Sequence, residues 1–151
     1  MNDFPITIYH NPDCGTSRNA LAMIEAAGYR PTVILYREVG WSRPQLEQLL
    51  AAMEARPRDV LRDKGTPAAE LGLLDPATPD DAVLDAMLDH PILVNRPIVV
   101  SPKGTKLCRP SEAVLALLDR LPTDFTKEDG ERVVSPPAAS PTARALPSDR
   151  G

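Results

Sequence analysis

The stretch "ITIYHNPDCGTSRNALAMIEAAGYRPTVILY" constrains the fold most, because it sets two β-rich runs on either side of one helical stripe. Ile6 to His10 alternate in the manner of a strand, and "NPDCG" supplies the turn residues that end it. Leu21, Ile24 and the neighbouring alanines then recur at helical spacing, with Thr16 or Ser17 expected as the cap and Gly28 at the C-terminal end. Pro31 to Tyr36, "PTVILY", reads as a second strand of the buried type. Strand, crossover helix and strand in one sheet form a right-handed parallel unit.

Downstream, Ser42 opens a helix whose Leu46, Leu49, Leu50 and Met53 fall on one face before Pro57 interrupts it. From Pro57 to Pro91 the pattern is helical and strand-free. Short pieces are expected near Val60 to Arg62 and Leu71, and a better helix opens with Thr78 as cap and Pro79 in its first turn. Ile98 to Ser101 and Thr105 to Arg109 read as a hairpin, followed by a helix from Ser111 and Glu112 that presents Val114, Leu117, Leu118 and Leu121. The order β-α-β-α, then β-β-α after a helical lobe at about 57–91, is a thioredoxin-like α/β arrangement. With 42% hydrophobic residues in 151, the chain can bury one core, assigned to residues 1–134. Residues 135–151, "SPPAASPTARALPSDRG", have no periodic apolar face and are expected to be disordered.

A formal net charge of −4 argues against a nucleic-acid surface. No apolar run approaches a membrane span and no secretory signal opens the chain, so a cytoplasmic protein is expected. In that setting Cys14 and Cys108 stay reduced. Cys108, in "KLCRP", reads as a core residue and His90 as structural; no Cys, His or Asp cluster has metal spacing, so no metal is expected.

Cys14 is different in kind. It stands where the first strand gives way to a helix, and the position that would complete a C-x-x-C pair holds Ser17. Thiolate is the reactive form of cysteine, and unpaired N–H groups at a helix start favour it. Arg18 lies one turn along and His10 ends the strand. Lowering the pKa by about two units needs only about 2.7 kcal/mol of preference for the charged form, within reach of a helix terminus and one or two cations. Gly15, with the hydroxyls of Thr16 and Ser17, completes a cradle for a small tetrahedral anion.

The ordered motifs "ITIYHNPDCGTSRNAL", "ELGL", "HPILVNRPIVVSPKGTKLCRPSE" and "FTKEDGE", over about residues 5–134, resemble the glutaredoxin-coupled arsenate reductases. The resemblance implies that Cys14 attacks arsenate, that His10, Ser17 and Arg18 tune its thiolate, and that Arg62, Arg96 and Arg109 bind the anion. Arg58 lies close to Arg62, and the sequence leaves open which of the two faces the site. Pro97 resembles the cis-proline that faces the cysteine in this fold. Arginine's planar fork suits tetrahedral oxyanions independently of any resemblance.

The implied chemistry uses glutathione as co-substrate and glutaredoxin as partner, with no bound cofactor, so that Cys14 stands alone because its resolving thiols come from outside. Three other readings compete. A thiol-sensing transcription regulator of the same fold that binds RNA polymerase would commonly carry C-x-x-C, a monothiol glutaredoxin would lack the 57–91 segment and "NRPIVV", and a C-x5-R phosphatase would need arginine where Ala20 sits.

Overall fold

A computed structural model describes residues 4–122, 125–128 and 130, with the backbone of 132–134. Strand β1 (Thr7–Tyr9) lies inside a four-stranded sheet, parallel to β2 (Thr32–Ile34) on one side and antiparallel to β3 (Ile98–Ser101) on the other; β4 (Gly104–Leu107) continues antiparallel beyond β3. The crossover between β1 and β2 is helix α1 (Gly15–Ala26), as the strand-helix-strand pattern predicts. The α/β thioredoxin-like arrangement holds.

Alternation along the strands divides the core in two. The paired residues Ile8 and Val99 point to one face, where Ala20, Met23 and Ile24 of α1 meet Val114 and Leu117. Tyr9 and Ile98, the next pair, point to the other, against Tyr36, Trp41, Leu46, Val83 and Met87. Each fully buried aliphatic side chain in these layers contributes about 1.5–3 kcal/mol, so both faces of the sheet are firmly held. The second layer comes from α2 (Tyr36–Val39), α3 (Arg43–Met53) and α4 (Asp80–Asp89). Ser42 caps α3 in a reciprocal capping box with Gln45.

Several local expectations are corrected. Cys14, not Thr16 or Ser17, occupies the N-cap of α1, because the Ser17 hydroxyl is turned inward. The second strand covers only Thr32–Ile34 and is not buried: it is the sheet edge, with a single neighbour, and Val33 is 42% exposed. The 57–91 segment is helical only at its two ends, in a 3-10 helix at Pro57–Val60 and in α4; the pieces expected at Val60 to Arg62 and near Leu71 are not helices, and the chain from 62 to 79 runs in turns and bends. The segment also contains one β-bridge, Leu61 to Val94. Thr78 does not cap α4; its hydroxyl donates to the Gly72 carbonyl, and Pro79 sits at the N-cap. Residues Ser111–Leu117 form a 3-10 helix that ends before Leu121, which is 55% exposed.

The short strands β5 (Phe125–Thr126) and β6 (Arg132–Val134) pair, and the segment that follows β5 docks on α1 where the Glu128 N–H donates to Asn19 Oδ1. The tail at 135–151 lies outside the described residues, among which no helix is long and apolar enough to cross a membrane.

Candidate active site

The loop from β1 to α1 is shaped by Asn11. Its side-chain oxygen accepts the Asp13 N–H at 2.9 Å, and its backbone oxygen accepts the Cys14 N–H at 3.0 Å. The first contact is an Asx turn, which folds the chain back without a second strand. Arg37, at the start of the α2 region, braces the same turn by donating from Nη1 to Asn11 Oδ1 at 3.0 Å and to Asp13 Oδ2 at 2.9 Å. Cys14 therefore emerges in extended geometry, φ −105° and ψ 121°, at the mouth of α1.

Ser17 lies fully buried beneath it. Its Oγ accepts the Asn11 N–H at 3.1 Å and lies 2.7 Å from His10 Nδ1, so strand end and helix start share one hydroxyl. Burial, and secondarily Arg18, lowers the His10 pKa, which leaves a neutral imidazole at neutral pH. His10 thus orients Ser17 and adds no cation.

Two arginines reach the sulfur from the far side of the sheet centre. Arg96 precedes β3 and Arg109 follows β4; each peptide bond to the following proline, Pro97 and Pro110, is cis. The Cys108 N–H donates to the Pro97 oxygen at 2.8 Å, tying the two segments together. Arg109 Nη1 stands 3.7 Å from Cys14 Sγ and donates to the Arg96 carbonyl at 2.9 Å. Arg96 is only 9% exposed, and its Nε and Nη1 are buried with no hydrogen-bond partner among the described residues.

Burial alone pushes the Cys14 thiol up. The Ser17 backbone N–H, which makes no formal capping bond yet lies near enough to favour negative charge, opposes it together with the donors of Arg96 and Arg109 and the charge of Arg96. The result is a pKa lowered from 9.0 to about 7. Cys108, in the apolar layer beneath, is pushed by burial up to about 12.

Arg62 faces the same place. The Leu61–Val94 bridge, with Arg62 N–H to the Leu93 oxygen at 2.7 Å and Asn95 N–H to the Val60 oxygen at 2.8 Å, stitches its backbone to the segment leading into Arg96. Burial lowers its pKa, and the charges of Arg96 and Arg109 lower it further, while Cys14 acts in the opposite sense. Arg58 points elsewhere, donating to the Thr78 carbonyl and lying 3.6 Å from Asp80. Arg18 is also turned aside: Nε and Nη2 hold both oxygens of Glu128 at 3.0 and 2.7 Å, and Nη1 holds the Pro12 carbonyl at 2.8 Å.

The structure thus gathers Cys14, Arg96, Arg109 and Arg62 around one point, with His10 and Ser17 under the loop and Arg18 on its outer surface. Sequence reasoning missed Asn11 and Arg37. Asn11 was read only as part of the "NPDCG" turn, without the Asx contact that shapes the site; nothing local marks Arg37, whose partners lie 24 and 26 positions away. A thiolate beside one buried guanidinium with unpaired donors, Arg96, and two partly exposed ones, Arg62 and Arg109, can bind and attack a small oxyanion.

Comparison with known proteins points to one family. The model of the ArsC family matches residues 9–117. An arsenate reductase of Synechocystis sp. is 58% identical over 135 residues, which is 89% of this chain and 94% of that protein. One of Escherichia coli is 58% identical over 130 residues, 85% of this chain and 92% of the relative. Among solved structures, an arsenate reductase from Vibrio cholerae superposes with a TM-score of 0.73 at 40% identity, over 78% of this chain and all of its own. An ArsC family related protein from Bacteroides fragilis, at 17% identity and TM-score 0.60 over 70% of this chain and 91% of that one, shares the fold.

Proposed function

The chain belongs to the ArsC family and is an arsenate reductase by its likeness to relatives over nearly their whole length, and we propose that Cys14 is its nucleophile, with Arg62, Arg96 and Arg109 as the anion site. One observation carries this assignment: Arg96 is buried beside the thiol with two donor nitrogens unpaired among the described residues. A buried donor without an acceptor is costly, and a buried guanidinium more so, unless an anion completes the site.

The thiolate attacks arsenic and an arsenic–oxygen bond breaks, the oxygen leaving as water after taking up a proton. The arginines hold the remaining oxygens while charge shifts onto them. Glutathione, as thiolate, then supplies the second sulfur. The two sulfurs are oxidised together to a mixed disulfide, giving up two electrons that take arsenic(V) to arsenic(III), and arsenite departs. Glutaredoxin attacks the glutathione sulfur and returns Cys14 to the thiolate. His10, through Ser17, keeps the loop in the geometry that presents the sulfur. Two free cysteines and a mechanism that consumes reduced thiols suit the cytoplasm.

The test is arsenite formation by purified protein with glutathione and glutaredoxin, alongside iodoacetamide labelling of Cys14 with and without arsenate. Turnover that survives Cys14→Ser, or labelling that arsenate does not slow, refutes the assignment.

A further inference from the structure

The strand order leaves a second opening beside the Cys14 loop, away from the arginines that face the sulfur. β3 follows Arg96 on one flank of β1, and β2 leads into Leu35, Arg37 and Glu38 on the other. On that second flank a cleft of about 210 Å³ is lined by His10, Pro12, Asp13, Leu35, Arg37 and Glu38. Arg37 is bound to the loop through Nη1 only, and neither its Nε and Nη2 nor the Glu38 carboxylate has a partner among the described residues. A guanidinium and a carboxylate one residue apart, beside the apolar Leu35, match a ligand end that carries both a carboxylate and an ammonium group.

We propose that this cleft seats the γ-glutamyl end of glutathione, its α-carboxylate on Arg37 and its α-ammonium on Glu38. The proposal rests on glutathione being the reductant. The space holds about one amino-acid residue, so the rest of the tripeptide runs over Pro12 towards Cys14. The second thiol then arrives from the flank opposite Arg96 and Arg109, and the anionic peptide does not compete with arsenate for those arginines. Arg37 has a double part here, since it also braces Asn11 and Asp13.

The experiment uses the full chain and a simple exchange. The Cys14 thiolate attacks oxidised glutathione, forming a mixed disulfide and releasing one glutathione thiolate. Its rate is divided by the rate with 2-hydroxyethyl disulfide, which is neutral and has no amino-acid end. That ratio cancels any general disturbance of the loop. Arg37→Glu and Glu38→Gln are each expected to lower the ratio about three- to fivefold, the size of one partly exposed ionic contact. Glu38→Gln is decisive. Glutathione is a net anion, so simple repulsion predicts a rise when Glu38 is neutralised, and only a contact with the ammonium predicts a fall. A ratio that fails to fall in either variant overturns the proposal. Protection of Cys14 by arsenate reads the arginine side alone, so it can stand when the cleft fails, or fail while the cleft stands.

Discussion

Replacing Arg109 by alanine is the sharpest test of how the Cys14 charge is held. The net lowering from 9.0 to about 7 corresponds to about 2.7 kcal/mol of preference for the thiolate. Burial works against it, so the favourable contributions of the Ser17 N–H, Arg96 and Arg109 together exceed that net figure. Removing Arg109 takes away one charge-assisted donor, about 1.5 kcal/mol, and should raise the pKa by about one unit. Ionised Cys14 at pH 7 then falls from about half of the molecules to about a tenth. A more basic thiolate is also a better nucleophile, by about threefold per pKa unit. Iodoacetamide should therefore label the variant about twofold more slowly at pH 7 but about threefold faster near pH 9, so that the two rate profiles cross. Intact-mass kinetics across that range read the crossing directly. Arg109→Lys keeps a charge and should fall between the two. A variant profile with the wild-type midpoint would refute the arginine's role at the sulfur.

Stability should carry the same signature. The Cys14 pKa is depressed in the folded state, so its contribution is complete above the unfolded value of 9.0 and disappears as pH falls through about 7. The urea-unfolding free energy of the wild type, measured against Cys14→Ala, should accordingly grow by about 2 kcal/mol from pH 7 to pH 9, and a flat difference would contradict the assigned shift. Arg62→Ala should weaken arsenate protection of Cys14 by about tenfold. Arg58→Ala should leave that protection intact and lower the melting temperature, because Arg58 joins the Thr78 carbonyl and Asp80; the reverse pattern would exchange their roles. Ser17→Ala strands the Asn11 N–H and His10 Nδ1 in a buried place, and denaturant titration should show a loss of about 1–3 kcal/mol.

Much of the frame was legible in the chain because it rests on local periodicity. Ile8 and Tyr9 point to opposite faces by strand geometry alone, and Met23 with Ile24 continue the α1 stripe. What escaped was non-local. The exposure of Val33 follows from β2 having a neighbour on one side only, a fact of sheet order that "PTVILY" does not contain. Arg58 and Arg62 are one helical turn apart in sequence and were separated only by the Leu61–Val94 bridge, which fixes how the chain leaves the 3-10 helix. Arg18 stands beside the cysteine in the chain, yet Glu128, 110 positions away, takes up its guanidinium. Short-range spacing singled out Cys14 as the candidate nucleophile, whereas the orientations of Arg18 and Arg109 depend on partners distant in the chain.

The gap between the two sulfurs has a practical consequence. With Cys14 near 7 and Cys108 near 12, their affinities for a proton differ by about five orders of magnitude. Towards thiol reagents such as maleimides the molecule behaves as if it had a single cysteine, so thiol oxidation falls first on Cys14, and a spectroscopic tag can be placed there with no need to mutate the other.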